Sequence, residues 1–132
     1  MYKVVLANGC FDVLHYGHYR HLLAASKMGD FLCVAVTHDD FVNKGTDRPY
    51  YDQPRRAFMV SQLRCVGEVM VAKNVVEAFE RYKPQIWALG KEYDGNVRQE
   101  HLDYCRSNGI EIRFTDEERD SSSNVINELR RR

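Results

Sequence analysis

Residues 4–18 of this chain read VVLANGCFDVLHYGH, an apolar run that passes through a glycine turn into a segment with two histidines. The run at 3–7 is short, apolar and partly β-branched, which predicts a buried strand that stops at Asn8-Gly9. Helical spacing of apolar residues follows from about residue 17 to residue 28. The histidines therefore stand at a helix start, beside free backbone N–H groups and the positive end of the helix dipole. Such a position suits a phosphate group.

The alternation of strand and helix continues along the chain. Apolar runs of strand length predict further buried strands at 31–37, 68–72, 85–89 and 110–114. Helical spacing predicts further helices at about 54–64, 75–82, 96–107 and 124–130. Gly29 and Gly109 stand where helix C-terminal glycines belong.

This order of elements predicts the fold class. Strands that alternate with helices from end to end are typical of a parallel sheet covered by helices on both faces. We therefore expect an α/β protein: a single-domain, Rossmann-like, three-layer α/β/α sandwich with a five-stranded parallel sheet over residues 1–132. Ligands of such sheets bind beyond the C-terminal ends of the strands. The segments expected at that edge are 8–18, 38–53, 90–94 and 115–123.

Composition and charge exclude several classes of protein. Hydrophobic residues make up 44% of the 132 residues and charged residues 29%, the balance of a globular domain with a core. The formal net charge is zero, so bulk electrostatics gives no reason to expect a nucleic acid or a membrane surface as partner. No apolar run approaches the roughly 20 residues that span a bilayer, and no signal-peptide pattern follows Met1. The four cysteines form no C-x-x-C pair, which argues against a zinc site and favours reduced thiols in a cytoplasmic protein.

The histidine pair is the strongest chemical signal. Imidazole N–H groups of His15 and His18 can donate to phosphate oxygens as negative charge moves onto a leaving pyrophosphate. Gly9 and Gly17 allow the backbone to come close to a ligand. Taken together at the end of a buried strand, these residues indicate a phosphate site.

Basic residues upstream of and within the second predicted helix add to this signal. Lys44 lies in a polar loop, from which it could close over a triphosphate as a point charge. Arg55 and Arg56 lie in the first turn of the helix, where the dipole makes cations slightly unfavourable. That small cost indicates that one of the two arginines faces an anion.

The segments GCFD at 9–12 and HYGH at 15–18 resemble the paired GxFD and HxGH motifs of the cytidylyltransferase-like nucleotidyltransferases. The likeness is greatest to bacterial glycerol-3-phosphate cytidylyltransferases and to the adenylyltransferase domain of heptose-phosphate enzymes, and it covers nearly the whole chain. The resemblance implies an enzyme that joins a nucleoside triphosphate to a phosphorylated small molecule and releases pyrophosphate by direct in-line attack.

The resemblance also implies a role for each matching residue. Four residues are expected to be catalytic: His15, His18, Lys44 and Arg55. Asp12 and Asp39 are expected to border the acceptor, with Asp12 also near the phosphates and the metal. The nucleotide-binding residues are expected to be Asn8, Gly9, Cys10, Phe11, Gly17, Gly90, Glu92, Tyr93, Arg119, Ser121, Ser122 and Ser123. In this last group the arginine departs from the glycerol-3-phosphate enzymes, which carry it five residues before the hydroxyl run, where this chain has Asp116.

Donor and acceptor stay open at this point. The favoured reaction transfers CMP from CTP to a small phosphorylated alcohol such as glycerol 3-phosphate. The alternative is an adenylyltransferase that uses ATP on a sugar phosphate or another phosphorylated acceptor. A non-catalytic nucleotide-binding module is the alternative of another class, and a flavodoxin-like electron carrier would leave the histidine pair unexplained. The resemblance further implies Mg²⁺, held mainly by the triphosphate, and a homodimer.

Overall fold

The computed structural model describes residues 1–45 and 48–116, and its elements follow the predicted order. The strands are β1 Val4–Gly9, β2 Phe31–Thr37, β3 Glu68–Ala72, β4 Ile86–Gly90 and β5 Glu111–Thr115. The α-helices within the described ranges are α1 Tyr16–Ser26, α2 Gln53–Ser61, α3 Val75–Tyr82 and α4 Gln99–Asn108. Short 3₁₀ turns, Asp39–Phe41 and Lys91–Tyr93, follow β2 and β4. The helix predicted at 124–130 lies outside the described residues.

The five strands form one parallel sheet in the order β3-β2-β1-β4-β5. β1 is the central strand, because Val5 pairs with Leu32 of β2 on one side and with Ile86 of β4 on the other. Along the chain, β2 and β3 are thus added on one side of β1, and β4 and β5 are then added on the other side. This confirms the Rossmann-like α/β fold, and the strand order reverses between β1 and β4.

Helices cover both faces of the sheet, and each face has its own core. Alternate strand residues such as Val5 and Val34 pack with α1 and α2. The intervening residues, among them Leu6 and Trp87, pack with α3 and α4. Strands that are buried on both faces explain the nearly continuous apolar runs in the sequence. None of the helices in the described ranges is long and apolar enough to cross a membrane.

Local signals set most of the helix ends. The Asp52 side chain caps α2 by accepting the backbone N–H of Arg55, and Pro54 lies in the first turn. The Asn74 side chain caps α3 in the same way. Gly109 ends α4 with φ 69°, the left-handed conformation expected of a helix C-terminal glycine.

The prediction that β1 stops at Asn8-Gly9 is wrong. Both residues belong to the strand and pair with Ala35 and Val36 of β2. The Asn8 side chain also accepts the indole N–H of Trp87 at 2.8 Å, which ties the end of β1 to β4. A polar residue and a glycine therefore continue the strand because the neighbouring strands satisfy their polar groups.

The interpretation of Gly29 as a helix cap is also wrong. α1 ends earlier, and its cap residue is Lys27 with right-handed φ and ψ. A Cβ atom on Gly29 would lie 2.7 Å from a Val5 methyl and 2.8 Å from the Lys3 carbonyl oxygen. Glycine is needed here because the chain passes close to β1, not because of its φ.

Candidate active site

The site lies where the strand order reverses, at the carboxyl ends of β1 and β4. The segment that leaves β1 is the signature loop, residues 10–15, which leads directly into α1. Gly90 ends β4 on the other side of this position. The fold thus brings the histidine segment and the Gly90–Tyr93 segment to the same edge of the sheet, as the sequence predicts.

The two histidines cap the start of α1 together. His15 is the N-cap residue, and its Nδ1 accepts the N–H of Gly17 at 3.1 Å. The Nδ1 of His18 accepts the N–H of His15 at 3.4 Å, which completes a capping box. The rings stack with their centroids 3.9 Å apart. Because each Nδ1 is an acceptor, the neutral rings carry their proton on Nε2, the atom at the outer end of the ring. The pair is therefore oriented as two Nε2–H donors.

Phe11 has a left-handed backbone in the middle of the signature loop. Its φ is 53°, uncommon for a residue with a bulky side chain and costing on the order of 1–3 kcal/mol. Its ring is buried and makes an edge contact with His18, with centroids 5.3 Å apart. A Cβ atom on Gly9 would lie 3.1 Å from the same ring. The tight turn is thus held by packing on the ring of Phe11.

Asp12, in the signature loop, forms hydrogen bonds to the segment of residues 48–51. Its carboxylate accepts the backbone N–H groups of Tyr50 and Tyr51 at 2.8 Å each, and Nε of Arg48 donates to it at 2.6 Å. Burial alone would raise the pKa of Asp12, but the two backbone donors and Arg48 outweigh burial and hold the pKa below its usual value. The side chain is 2% exposed, so its visible role is to hold residues 48–51 against the signature loop.

A fully buried arginine lies beside this loop. Arg56 is 0% exposed, and its guanidinium donates to the carbonyl oxygens of Tyr51 at 2.8 Å and Cys10 at 2.9 Å. Its second Nη donates to a carboxylate oxygen of Asp39 at 2.6 Å. Arg56 therefore ties together the signature loop, the turn after β2 and the start of α2.

Both arginines at the start of α2 pair with a protein carboxylate, and the buried one of the two is Arg56, which binds Asp39. An anionic ligand at either arginine stays a prediction. Arg55, the residue chosen from the sequence, is 70% exposed and pairs with Asp52 in its own first turn. The sequence does not distinguish Arg55 from Arg56, because both lie in the first turn of the helix. Adjacent helical residues point about 100° apart, and the sequence does not fix which of the two faces the interior. A catalytic role for Arg55 stays a prediction.

A surface groove of about 500 Å³ adjoins these residues. It contains both Arg55 and Asp39, the latter being half-buried and paired with Arg56. The residues that line it are Asp39, Pro49, Tyr50, Tyr51, Asp52 and Arg55. The predicted acceptor residue Asp39 thus lines a surface groove. Lys44 lies in the exposed segment after the 3₁₀ turn that contains Asp39.

The predicted nucleotide-binding residues Gly90, Glu92 and Tyr93 lie at the end of β4 and in the 3₁₀ turn that follows it. Glu92 folds back over Gly90, where an added Cβ would lie 2.5 Å from a carboxylate oxygen. Tyr93 is 46% exposed in the same turn. The remaining predicted nucleotide-binding residues, Arg119, Ser121, Ser122 and Ser123, lie outside the described residues.

The expected closeness of Mg²⁺ to Asp12 does not fit the structure. Both carboxylate oxygens of Asp12 accept hydrogen bonds from protein groups, and the side chain is buried. Within 1–45 and 48–116, no three His, Cys, Asp or Glu side chains cluster in a way that could hold a metal ion. The association of Mg²⁺ with the triphosphate stays a prediction.

Sequence reasoning missed two further site residues. Arg48, which pairs with Asp12, is preceded by a loop with no periodicity to place it. His21 lies one turn after His18 on α1, and its Nδ1 is 2.9 Å from the hydroxyl of Thr115 at the end of β5. The three-residue spacing of the histidines was a usable signal, since residues three apart share a helix face.

Comparison with known proteins gives the family. The sequence model of the family described as cytidylyltransferase-like matches residues 6–128. The bifunctional protein HldE of Helicobacter pylori strain P12 is 38% identical over 95 residues, 69% of this chain and 21% of that protein. HldE of Helicobacter hepaticus is 34% identical over 133 residues, 98% of this chain and 27% of that protein. The chain thus spans roughly a fifth to a quarter of the length of these curated relatives.

A solved structure agrees with this result. The lipopolysaccharide core biosynthesis protein of Thermoplasma volcanium superposes with a TM-score of 0.70 at 28% identity, covering 88% of this chain and 98% of that one. The family match, the strand order and the histidine pair at the reversal point converge on one conclusion. The chain belongs to the cytidylyltransferase-like family of nucleotidyltransferases.

Proposed function

We propose that this protein transfers a nucleoside monophosphate from a nucleoside triphosphate to a small phosphorylated acceptor. The observation that carries the proposal is the stacked pair His15 and His18, whose rings are fixed by their capping bonds at the start of α1. Two Nε2–H donors beside a helix N-terminus match the charge that develops on phosphate oxygens during such a reaction.

In the proposed reaction an acceptor phosphate oxygen attacks the α-phosphorus of the triphosphate. The new O–P bond forms as the bond from the α-phosphorus to the bridging oxygen of the β-phosphate breaks, and pyrophosphate leaves with that electron pair. No base is needed to take a proton from the attacking oxygen, because that oxygen is already an anion. The chain's contribution is position and charge: His15 and His18 donate to the phosphates, and the cations Lys44 and Arg55 approach from the loop and the start of α2. Mg²⁺ enters as part of the nucleotide substrate.

The favoured donor is CTP and the favoured acceptor is glycerol 3-phosphate or a similar alcohol phosphate. The likeness of the segment at residues 37–41 to the glycerol-3-phosphate enzymes supports this choice, as does the family description. The groove beside Asp39 offers space for a small acceptor.

ATP with a sugar phosphate is the second candidate. It is favoured by the likeness of Asn8 to Asp12 to the heptose-phosphate adenylyltransferase domain. The Thermoplasma volcanium protein also supports it, because lipopolysaccharide core is built from sugars. The two candidates use the same site residues and differ in the base and the acceptor.

The proposed function is tested by pyrophosphate release with Mg²⁺, using CTP, ATP, GTP and UTP against a panel of glycerol and sugar phosphates. Release with CTP and an alcohol phosphate establishes the first candidate. Release with ATP and a sugar phosphate establishes the second and leaves the site unchanged. Nucleotide binding by calorimetry without release from any pair would contradict an enzymatic role and favour a nucleotide-binding module.

Two further proposals rest on the family resemblance. We expect a homodimer, which light scattering coupled to size-exclusion chromatography measures directly. We also expect a cytoplasmic location, for which cell fractionation is the test. A monomer at assay concentration, or a membrane-bound fraction, would contradict the respective proposal.

A further inference from the structure

The side-chain amide of Asn8 has an orientation that one neighbour fixes. The indole N–H of Trp87 can only donate, so the Asn8 atom that meets it at 2.8 Å is the carbonyl oxygen Oδ1. The indole itself is held in place, because Trp87 is 3% exposed and makes edge contacts with the rings of Phe79 and His101. The N–H₂ of Asn8, on the other side of the amide carbon, is therefore turned away from β4.

The N–H₂ of Asn8 opens onto the carboxyl edge of the sheet. In the ranges 1–45 and 48–116 it donates to no protein atom, and Tyr82 Oη is the one buried side-chain nitrogen or oxygen there without a partner. Solvent therefore reaches the amide nitrogen. Leu6 and Trp87 lie below Asn8 on the same face and are buried, so the opening is at the carboxyl end of β1. Ligands of parallel α/β sheets bind at this edge.

Thr37 provides a second polar group on the same face. Asn8 pairs with Ala35 of β2, and Thr37 stands two residues farther along that strand. Residues two apart in a strand share a face, and the spacing and rise of strands place the Cα atoms of Asn8 and Thr37 about 8 Å apart. Among the residues that the structure describes, the half-buried Thr37 hydroxyl has no hydrogen-bond partner and is open to solvent.

The chemistry of the two groups indicates what they can bind. Both are neutral, so neither supplies the charge that a phosphate calls for. The amide offers two N–H donors, and the hydroxyl both donates and accepts. A hydroxyl group of a substrate matches them, because it can accept from Asn8 and exchange hydrogen bonds with Thr37. The pair thus suits the hydroxylated carbon chain of a substrate and not its phosphate.

The position of the pair indicates which substrate it meets. In the proposed function the phosphates of the nucleotide lie at the start of α1, and its base lies at the end of β4. The N–H₂ of Asn8 turns away from β4, and Thr37 lies on the side of β2. Two residues beyond Thr37 the chain reaches Asp39, which lines the groove on that side. The acceptor is the substrate that remains for this part of the edge.

We propose that Asn8 and Thr37 are specificity residues that bind hydroxyl groups of the acceptor, with Trp87 holding the Asn8 amide in the orientation that donates. The inference rests on the proposed function. It gives the Asn8 side chain a different ligand from the nucleotide that the family resemblance implies.

The first test uses wild-type protein labelled with ¹⁵N, in which the Asn8 N–H₂ signals are identified by their loss in Asn8→Asp. The protein is titrated separately with CTP, with ATP and with the glycerol and sugar phosphates of the pyrophosphate assay, all with Mg²⁺. The Asn8 N–H₂ signals are expected to move farther with at least one phosphorylated alcohol than with either nucleotide. The reverse order, or no movement with any compound, would overturn the inference.

The second test compares Asn8→Asp with Asn108→Asp. Aspartate at position 8 keeps an oxygen for the indole of Trp87 but puts a second oxygen where the N–H₂ stood. KM for the acceptor is expected to rise about 10-fold or more, the loss typical of a polar group left unpaired, while KM for the nucleotide stays within about twofold. Asn108 is exposed at the end of α4, at the opposite end of the sheet, so Asn108→Asp adds the same charge and should match wild type.

Thr37→Val tests the second residue without adding charge. Valine keeps the shape of threonine and removes the hydroxyl, so KM for the acceptor should rise about 3–10-fold with little change in KM for the nucleotide. A wild-type KM for the acceptor in both folded variants would overturn the inference and leave the proposed function intact. Absence of pyrophosphate release from the wild type with every substrate pair would contradict the proposed function instead. In that case the NMR titration still decides whether Asn8 binds a phosphorylated alcohol.

Discussion

The two faces of the sheet bury similar amounts of apolar strand but differ in what lies at their ends. On the face covered by α3 and α4, Phe79 stacks on Tyr104 and makes an edge contact with Trp87, with centroids 5.2 and 5.0 Å apart. Burial there raises the pKa of Cys33 and of Cys105 to about 11, so both thiols stay protonated.

The face covered by α1 and α2 ends differently. Its carboxyl edge holds a buried carboxylate, Asp12, a buried guanidinium, Arg56, and the left-handed Phe11. Each of these features costs stability in isolation and is held by several neighbours. We therefore expect one face to supply packing energy and the other to carry the groups of the proposed reaction.

The face of α3 and α4 should be dispensable for chemistry and indispensable for stability. Phe79→Ala removes a ring that is 1% exposed and is expected to lower the free energy of unfolding by about 3–5 kcal/mol. The rate per folded molecule should not change. Urea unfolding and pyrophosphate release measure the two quantities. Phe58→Ala, at a ring that is 63% exposed, is the stability control and should stay within about 0.5 kcal/mol. A loss of kcat in folded Phe79→Ala would break the division.

The histidine pair should show the reverse pattern. His18→Ala is expected to lower kcat by about 10²–10³, or about 3–4 kcal/mol in the barrier, because it removes a donor to the phosphates. The loss of stability should stay near 1 kcal/mol, the worth of one cap.

Two amide variants separate the cap from the donor in His18. Asparagine places an acceptor near Nδ1, so His18→Asn should keep the cap and still lose the rate. Glutamine places an N–H near Nε2, so His18→Gln should recover part of the rate. Equal activity in wild type and His18→Asn would show that capping is the whole role of this histidine.

Substitution of Asp12 should lower both the stability and the rate, each by less than the variants above. Asp12→Asn puts an amide N–H₂ opposite backbone N–H donors and should cost about 1–3 kcal/mol of stability at pH 7. Since the pKa of Asp12 is lowered on folding from the ordinary 3.8, its ionised form stabilises the protein above that value. This contribution is lost as the pH falls through the folded pKa, so the difference between variant and wild type should shrink as the pH falls below 3.8.

Chemical unfolding between pH 7 and pH 2.5 measures the predicted convergence. Asp94→Asn, at an exposed carboxylate, is the control and should show little difference at any pH. A gap between Asp12→Asn and wild type that stays constant down to the lowest pH would contradict the ionised buried carboxylate.

The smallest effect is expected from His101 on α4. Burial against Trp87 lowers the pKa of His101 below 6.5; Glu100 opposes the shift and Arg98 adds to it. The neutral ring therefore stabilises the fold above pH 6.5, and this contribution fades as the pH falls through the lowered pKa. NMR titration of the ring protons measures the value. A pKa at or above 6.5 would show that this face is less closed to water than its packing indicates.

The fold was largely readable from the sequence, because hydrophobic periodicity reflects burial directly. The bounds of β2, β3 and α3 agree with the prediction residue for residue. The prediction failed where tertiary contacts decide the outcome. Asn8 continues a strand because Trp87 reaches its side chain, and a partner 79 residues away leaves no local signal.

The motifs of the candidate site could be identified from the sequence, but the residues that hold those motifs in place could not. The histidines and glycines of the signature loop are adjacent in sequence, so their pattern identifies them. Arg48 and Arg56 act on residues 36 and 46 positions away, and only the folded chain brings them there. The left-handed φ of Phe11 also could not be predicted, because no local signal in the sequence identifies a phenylalanine that adopts it.

The central position of β1 has a consequence for the order in which the molecule is completed during synthesis. β1 can pair with β2 as soon as Thr37 is available, but its other edge waits for β4, which ends at Gly90. At a ribosomal rate of about 5–20 residues per second, that edge stays open for roughly 3–10 s. The seam that closes last is the one at which the nucleotide is expected to bind, so a nascent chain acquires its core on one side of β1 well before it acquires a site.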